Sequence, residues 1–322
     1  MEILDIYLNS QVHKVISLDK SRGMLSHAYL LECTDLFLLD NFDMLIAKEI
    51  FCLSQATPCG KCVNCLKVEH GNMVDLKVYP KDNKSIVVED VNEIVSDSIQ
   101  RPMDGVYKVY VLKNFDKATV QAQNKLLKTL EEPPLNVVFI LTCSNLGNVL
   151  PTICSRVKRV TENLLSIEEV AGYLKDMKVK DYLSVASVSG GNISTALKLA
   201  TGGDSEKIIN LAFSTLLNLK KSSDVLKFSS QILSLKKDFP FFVDTLIAVL
   251  RDVSVVGKGK INFEDRIEDI RIISASLSSM ACSEMLKVCN AIYNKLEFNC
   301  NLTGVVDKML LDILEVKFLC QK

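Results

Sequence analysis

Tryptophan is absent, and so is any excess of positive charge: 38 lysines and arginines stand against 39 aspartates and glutamates, a formal net charge of -1. Single-stranded nucleic acid is gripped by a basic groove with aromatic stacking platforms. Here the tyrosines and phenylalanines fall mostly at apolar-stripe positions, so direct base readout is not expected. Any contact with DNA must then be local or supplied by partners. No apolar run reaches the roughly 18 residues that a membrane span needs, and even residues 239–250 are broken by Pro240 and Asp244. The opening residues, MEILDIYLN, lack the basic-then-apolar pattern of an export signal, so the cytosol is the expected location. Chain-breaking residues are scarce in the second half. Of 13 glycines only Gly257, Gly259 and Gly304 lie beyond Gly203, and of 7 prolines only Pro240 lies beyond Pro151. Breakers this sparse favour long helices.

Cysteine, by contrast, is plentiful. Eleven cysteines without an export signal argue for thiols and metal ligation rather than a disulfide framework. Cys52, Cys59, Cys62 and Cys65 follow the spacing C-x6-C-x2-C-x2-C, which suits tetrahedral zinc, and Pro58 and Gly60 suit the tight turn of a Cys-x2-Cys knuckle. Four thiolates leave no open position, so the expected site is structural. A redox role for Cys59 and Cys62 is the competing reading; redox pairs of this kind usually come without two further cysteines at ligand spacing. His70, five residues beyond Cys65, is either a substitute ligand or a surface histidine. Cys33, Cys143, Cys154, Cys282, Cys289, Cys300 and Cys320 have no ligand spacing and read as small apolar fillers.

Residues 109–112 and 137–141 are apolar runs flanking a helical stretch with Val120, Leu126, Leu127 and Leu130. Glu131-Glu132-Pro133-Pro134 closes that stretch, because neither proline nitrogen can donate and the residue before each is pushed out of the α region. The result is a βαβ unit with parallel, buried strands. Further strands are expected at 27–31, 74–79 and 157–160, with an opening helix or two over 1–26 and a helix from about 88 to 100. Together they predict a parallel α/β sheet through about residue 162. Ser166 and Glu169 then stand at capping-box spacing, and short helices are expected over 180–187 and 192–200. Thr201-Gly202-Gly203-Asp204-Ser205 reads as a linker, followed by about five helices. The last carries Leu302, Val305, Val306, Met309, Leu310, Ile313 and Leu314 on one stripe. Lys258-Gly259-Lys260 reads as a solvated turn.

The words Asn124-Lys125-Leu126-Leu127-Lys128-Thr129-Leu130-Glu131-Glu132-Pro133-Pro134, Leu150-Pro151-Thr152-Ile153 and Ser155-Arg156 resemble the clamp-loader AAA+ family of bacterial DNA polymerase III. The resemblance implies three domains: an AAA+-like α/β domain over 1–163 with a four-cysteine zinc module at 52–65, a small helical lid over 164–203, and an all-α collar over 204–322. Asn299-Cys300-Asn301 and the leucine-rich helix after it look like the collar's end. In that family the Ser-Arg pair supplies an arginine finger in trans, which assigns Arg156 as the finger and Ser155 as its support. From spacing alone Arg156 could instead cap a strand edge or pair with a nearby carboxylate.

The family's own nucleotide pocket is degraded. Residues 32–40 offer no glycine and no lysine for a phosphate cradle, and Glu32 and Asp35 put carboxylates where phosphate would lie. The acidic pair ending the Walker B strand aligns with Lys113-Asn114, and the lid arginine of active relatives aligns with Thr195. The expectation is therefore a subunit with no intrinsic catalysis, binding structural zinc but no ATP, as a component of a DNA-directed DNA polymerase holoenzyme. Its implied partners are gamma/tau ATPase subunits and delta in a hetero-oligomeric ring, with the sliding clamp and primed DNA engaged indirectly and no membrane. The alternatives are an active ATPase motor of the same fold and a zinc-dependent nucleic-acid-binding module.

Overall fold

Short runs rich in valine, isoleucine, leucine and tyrosine pair side by side because burial on both faces suits them as parallel strands. A computed structural model describes residues 2–54, 58–82, 85–180, 182–201, 205–235, 238–257, 259, 261–263, 266–297 and 301–319. Lys258, Lys260, Asn299, Cys300, Cys320 and the middle of the 201–205 linker lie outside them. The chain divides into two compact units, residues 1–165 with 192–194, and residues 166–191 with 195–322.

The first unit is built on β1 (Ala28–Glu32), β2 (Leu76–Tyr79), β3 (Lys108–Leu112), β4 (Val137–Cys143) and β5 (Lys158–Thr161). They form one parallel sheet in the order β2-β3-β4-β1-β5. β3 and β4 are buried along their whole length, whereas β5, at an edge, buries only Val160. Among the described residues seven α-helices accompany the sheet: α1 (Ile3–Asn9), α2 (Gln11–Ser21), α3 (Leu36–Phe51), α4 (Val63–Glu69), α5 (Val88–Ser98), α6 (Val120–Glu131) and α7 (Pro151–Cys154). α6 begins where the Thr119 hydroxyl accepts from the Ala122 amide at 3.2 Å and ends ahead of the double proline. It buries Ala122, Leu126 and Leu130 in the core with Tyr110, Leu112, Phe139 and Leu141. Val120, expected on that stripe, is 61% exposed, since it opens the helix before the buried face begins.

The regular elements among the described residues of the second unit are helices: α8 (Ile167–Asp176), α9 (Tyr182–Ser189), α10 (Ile193–Thr201, whose first two residues belong to the first unit), α11 (Ser205–Asn218), α12 (Ser222–Ser234), α13 (Phe239–Val255), α14 (Ile267–Ser276), α15 (Ser279–Glu297) and α16 (Leu302–Leu319). The Ser166–Glu169 capping box is formed, with the Glu169 amide donating to Ser166 Oγ at 3.2 Å and the Ser166 amide to Glu169 Oε2 at 2.9 Å. The stripe of α16 from Val305 to Leu314 is buried, and Leu302 is half-buried. From Ser205 the described residues form six helices rather than about five. α14 and α15 are divided without glycine or proline: Leu277 takes an extended backbone with its side chain buried, and Ser278 Oγ accepts from the Ala281 amide at 3.1 Å. No described helix is long and apolar enough to cross a membrane.

Candidate functional site

The four cysteines of the C-x6-C-x2-C-x2-C motif come together where α3 ends and α4 begins. Their ligand atoms all lie within 4.8 Å of one another. Cys59 Sγ is 4.0 Å from Cys65 Sγ and Cys62 Sγ is 3.9 Å from Cys52 Sγ. Four sulfurs at about 2.3 Å from a tetrahedral zinc stand about 3.8 Å apart, so the residues fit that metal. The knuckle is shaped for it: Gly60 adopts a positive φ of 66° in open space, and the Cys62 and Cys65 amides donate to Cys59 Sγ and Cys62 Sγ, each at 3.4 Å. His70, exposed beyond the end of α4, is not in the cluster. The described cysteines without ligand spacing, Cys33, Cys143, Cys154, Cys282 and Cys289, carry no disulfide. Burial pushes the thiols of Cys33 to about 11 and of Cys143 and Cys289 to about 12, leaving little reactive thiolate near neutrality.

Beyond the C-terminal ends of the strands, where parallel α/β sheets bind ligands, the expected remnants of a nucleotide pocket have taken partners within the chain. Asp35, fully buried, caps α3 by accepting from the Phe37 amide at 2.9 Å. The same carboxylate accepts from the Ile193 amide at 2.5 Å, the Ser194 amide at 3.3 Å and the Ser194 hydroxyl at 2.6 Å. A fixed anion thus sits on the amides that open α3 and α10, the kind of place where a phosphate would otherwise be favoured. Glu32 is held by β5, accepting from Arg159 at 3.2 Å and Thr161 at 3.1 Å. At the end of β3, Asn114 takes a left-handed φ of 50°, and Lys113 places its ammonium 3.0 Å from Asp43, which is fully buried on α3. Thr195 is the third residue of α10.

Asp43 carried no signal in the sequence. Burial pushes its carboxyl up to about 6, against the downward pull of Lys113. A carboxyl raised in the folded state favours folding while it holds its proton, below the unfolded value near 4, and that contribution is lost as pH rises through about 6. Asp43→Asn is therefore expected to gain stability over the wild type between pH 4 and pH 7, by on the order of 2 kcal/mol. Thermal unfolding of both proteins across that range measures it; a difference independent of pH would mean that Asp43 is charged throughout.

Arg156 lies at the other end of the sheet. It follows α7 and precedes β5, and its carbonyl accepts from Nε2 of His27, the residue before β1, at 3.0 Å. Five-residue β1 at about 3.3 Å per residue separates this edge from Asp35 by about 15 Å. The side chain is 34% exposed. Nη1 donates to the Thr152 carbonyl at 2.8 Å and to Ser155 Oγ at 3.0 Å, and Nη2 pairs with Glu131 Oε1 at 2.6 Å. Ser155 Oγ in turn donates to the same Thr152 carbonyl at 3.0 Å, which fixes the hydroxyl that receives the guanidinium. The alternative of a carboxylate partner is thus met at the same time as surface exposure. Glu131 stands in the glutamate-proline word at the end of α6, where its part as helix terminus gave no hint of its partner.

Residues 8–164 match the family model described as DNA polymerase III, delta subunit. DNA polymerase III subunit delta' of Bacillus subtilis (strain 168) is 25% identical over 96% of this chain and 97% of its own. DNA polymerase III subunit gamma of Buchnera aphidicola subsp. Acyrthosiphon pisum is 30% identical over 69% of this chain and 62% of its own, so the chain spans less than two thirds of that relative. A solved structure of a DNA polymerase III gamma subunit-related protein from Thermotoga maritima aligns over 95% of this chain and 99% of its own, with 17% identity and a TM-score of 0.45.

Proposed function

From the premise that this chain belongs to the DNA polymerase III clamp-loader family of delta', gamma and tau subunits, we propose that it is the non-hydrolysing, delta'-type member. In this reading it holds a place in a cytoplasmic ring with gamma/tau motors and delta, and presents Arg156 to ATP on the adjacent motor. Turnover there governs loading of the sliding clamp onto primed DNA. A guanidinium stabilises charge developing on a transferring phosphoryl group. The Cys52/Cys59/Cys62/Cys65 site holds structural zinc, which ties the loop between α3 and α4. The three-part division at 163 and 203 belongs to the same reading, with the last part as the assembly collar.

The observation that carries this reading is the separation of Arg156 from the pocket of its own chain. It lies by the N-terminal edge of the sheet, about 15 Å from the strand ends at which Asp35 and Lys113 stand. An arginine so placed serves a site on another chain or none. The pocket residues support the other half: Asp35 supplies the negative charge at two helix starts, and Lys113-Asn114 align with the family's magnesium-binding acidic pair, with Lys113 paired to Asp43 of its own chain. The isolated chain is accordingly expected to show no saturable binding of Mg-ATP at millimolar nucleotide by calorimetry. Micromolar binding would overturn the proposal in favour of an active motor. Salt-sensitive DNA binding by the chain alone would favour the zinc-dependent nucleic-acid module instead.

A further inference from the structure

α2 sends one side chain to the cysteine cluster. The ammonium of Lys20, half-buried, donates to the carbonyl of Glu49 at 2.5 Å and to the carbonyl of Cys52, the first cysteine of the motif, at 2.6 Å. α3 ends there, and the carbonyls of a last turn lack intrahelical partners and favour a cation. A second feature separates this lysine from an ordinary helix cap. Its charge lies within electrostatic reach of Cys52, of the buried Glu49 carboxylate, and of Cys65 and Cys62, so three of the four sulfurs share it with one carboxylate. Four thiolates around a divalent ion carry two surplus negative charges, and Cys65 is fully buried while Cys52 is 5% exposed, so water relieves little of that surplus on their side.

We propose that Lys20 is a positioning and charge-balancing residue for the Cys52/Cys59/Cys62/Cys65 centre: it fixes the Cys52 carbonyl and supplies the positive charge that a metal with four thiolates lacks. The inference rests on the zinc reading of that cluster. The residue comes from α2, 32 positions before Cys52, so no local ligand spacing announces it. Partners of this kind, outside the ligand set, typically change metal affinity tenfold to a hundredfold when removed, by about the same route of orientation and electrostatics.

The test is zinc affinity of the full chain, measured under reducing conditions by competition with a chromogenic chelator. Lys20→Gln keeps two N–H donors for the two carbonyls and removes the charge. It is expected to bind zinc about 10- to 100-fold more weakly, whereas Lys20→Arg, which keeps the charge, stays within a few-fold of the wild type. Wild-type affinity in Lys20→Gln would overturn the inference and leave a helix cap. Should Lys20→Gln not fold by circular dichroism, Lys20→Met, which also removes the charge, takes its place: a loss of tenfold or more supports the role, and wild-type affinity overturns it. A wild-type chain that binds no zinc at all would instead bring down the metal reading on which the inference stands.

Discussion

Arg156→Ala is expected to lower ATP turnover at the adjacent site of the assembled complex by about 10³-fold or more, while this chain stays folded and assembled. The two halves of that expectation have different origins. The loss follows from chemistry: a guanidinium delivered to the transferring phosphoryl group contributes roughly 10³–10⁵ in rate. The tolerance follows from where the side chain sits. With Arg156 34% and Glu131 48% exposed, their ion pair is a surface pair, of the class that contributes about 0–1 kcal/mol. The same weakness lets the guanidinium leave Glu131 for a phosphate, since a deeply buried pair would cost several kcal/mol to open. Arg156→Lys is not expected to restore turnover. A lysine lacks the planar fork that here reaches the Thr152 carbonyl, Ser155 Oγ and Glu131 together, and that would grip phosphoryl oxygens in the same way. Steady-state ATPase assays on complexes reconstituted with each variant measure the effect. Unchanged turnover with Arg156→Ala would end the finger role, and dissociation of the complex would recast the residue as an assembly contact.

Much of the first unit could be read from local pattern. The β3–α6–β4 crossover is announced by two apolar runs and a double proline, and the parallel pairing of β3 with β4 follows, with Tyr110 opposite Phe139 and Leu112 opposite Leu141. The cysteine spacing likewise announced the cluster that forms. What the sequence concealed depends on distant residues meeting. The Asp35 carboxylate could be placed in the stretch that aligns with the family's phosphate loop, but its acceptance of the Ile193 amide joins residues 158 positions apart. Glu32, three residues away, carries the same charge and faces another strand, because side chains around the end of β1 diverge once the strand gives way to α3. Lys113 was legible as a hostile residue for magnesium; that it meets Asp43 was not, since Asp43 sits amid the apolar residues of α3 with nothing in its neighbourhood to mark it. In the helical unit the same limit appears in reverse. A stripe as regular as that of α16 predicts its own buried face, whereas the break at Leu277 has no glycine or proline and is set by burial and a serine cap.

Metal analysis of the purified chain under reducing conditions is expected to return one zinc, and Cys62→Ser to release it and loosen residues 52–69 while the sheet persists. Structural zinc supplies apparent binding energies of about 10–16 kcal/mol in zinc-finger peptides, drawn directly into folding. Without it α4 keeps modest polar anchors: Asn64 donates to the Phe51 carbonyl at 3.0 Å, Lys48 pairs with Glu69 at 3.1 Å and Lys67 with Asp104 at 2.8 Å. Glu69 is 51% exposed and Lys67 36%, so those ion pairs contribute about 1 kcal/mol each at most. Cys65 and Val68 are buried, but α4 is only two turns long and cannot hold itself as an isolated helix. β3 and β4 stand on other footing, packed on the core of Tyr110, Leu112, Phe139 and Leu141 with α6 against them. Hydrogen exchange should therefore accelerate over 52–69 in Cys62→Ser or after chelation, with amides of β3 and β4 still protected. The close sulfur pairs cross the motif, Cys52 to Cys62 and Cys59 to Cys65, rather than joining Cys59 to Cys62 alone. A purely redox pair has no need of that closed set of four, so a chain that returns no zinc but cycles a Cys59–Cys62 disulfide would refute the metal site outright.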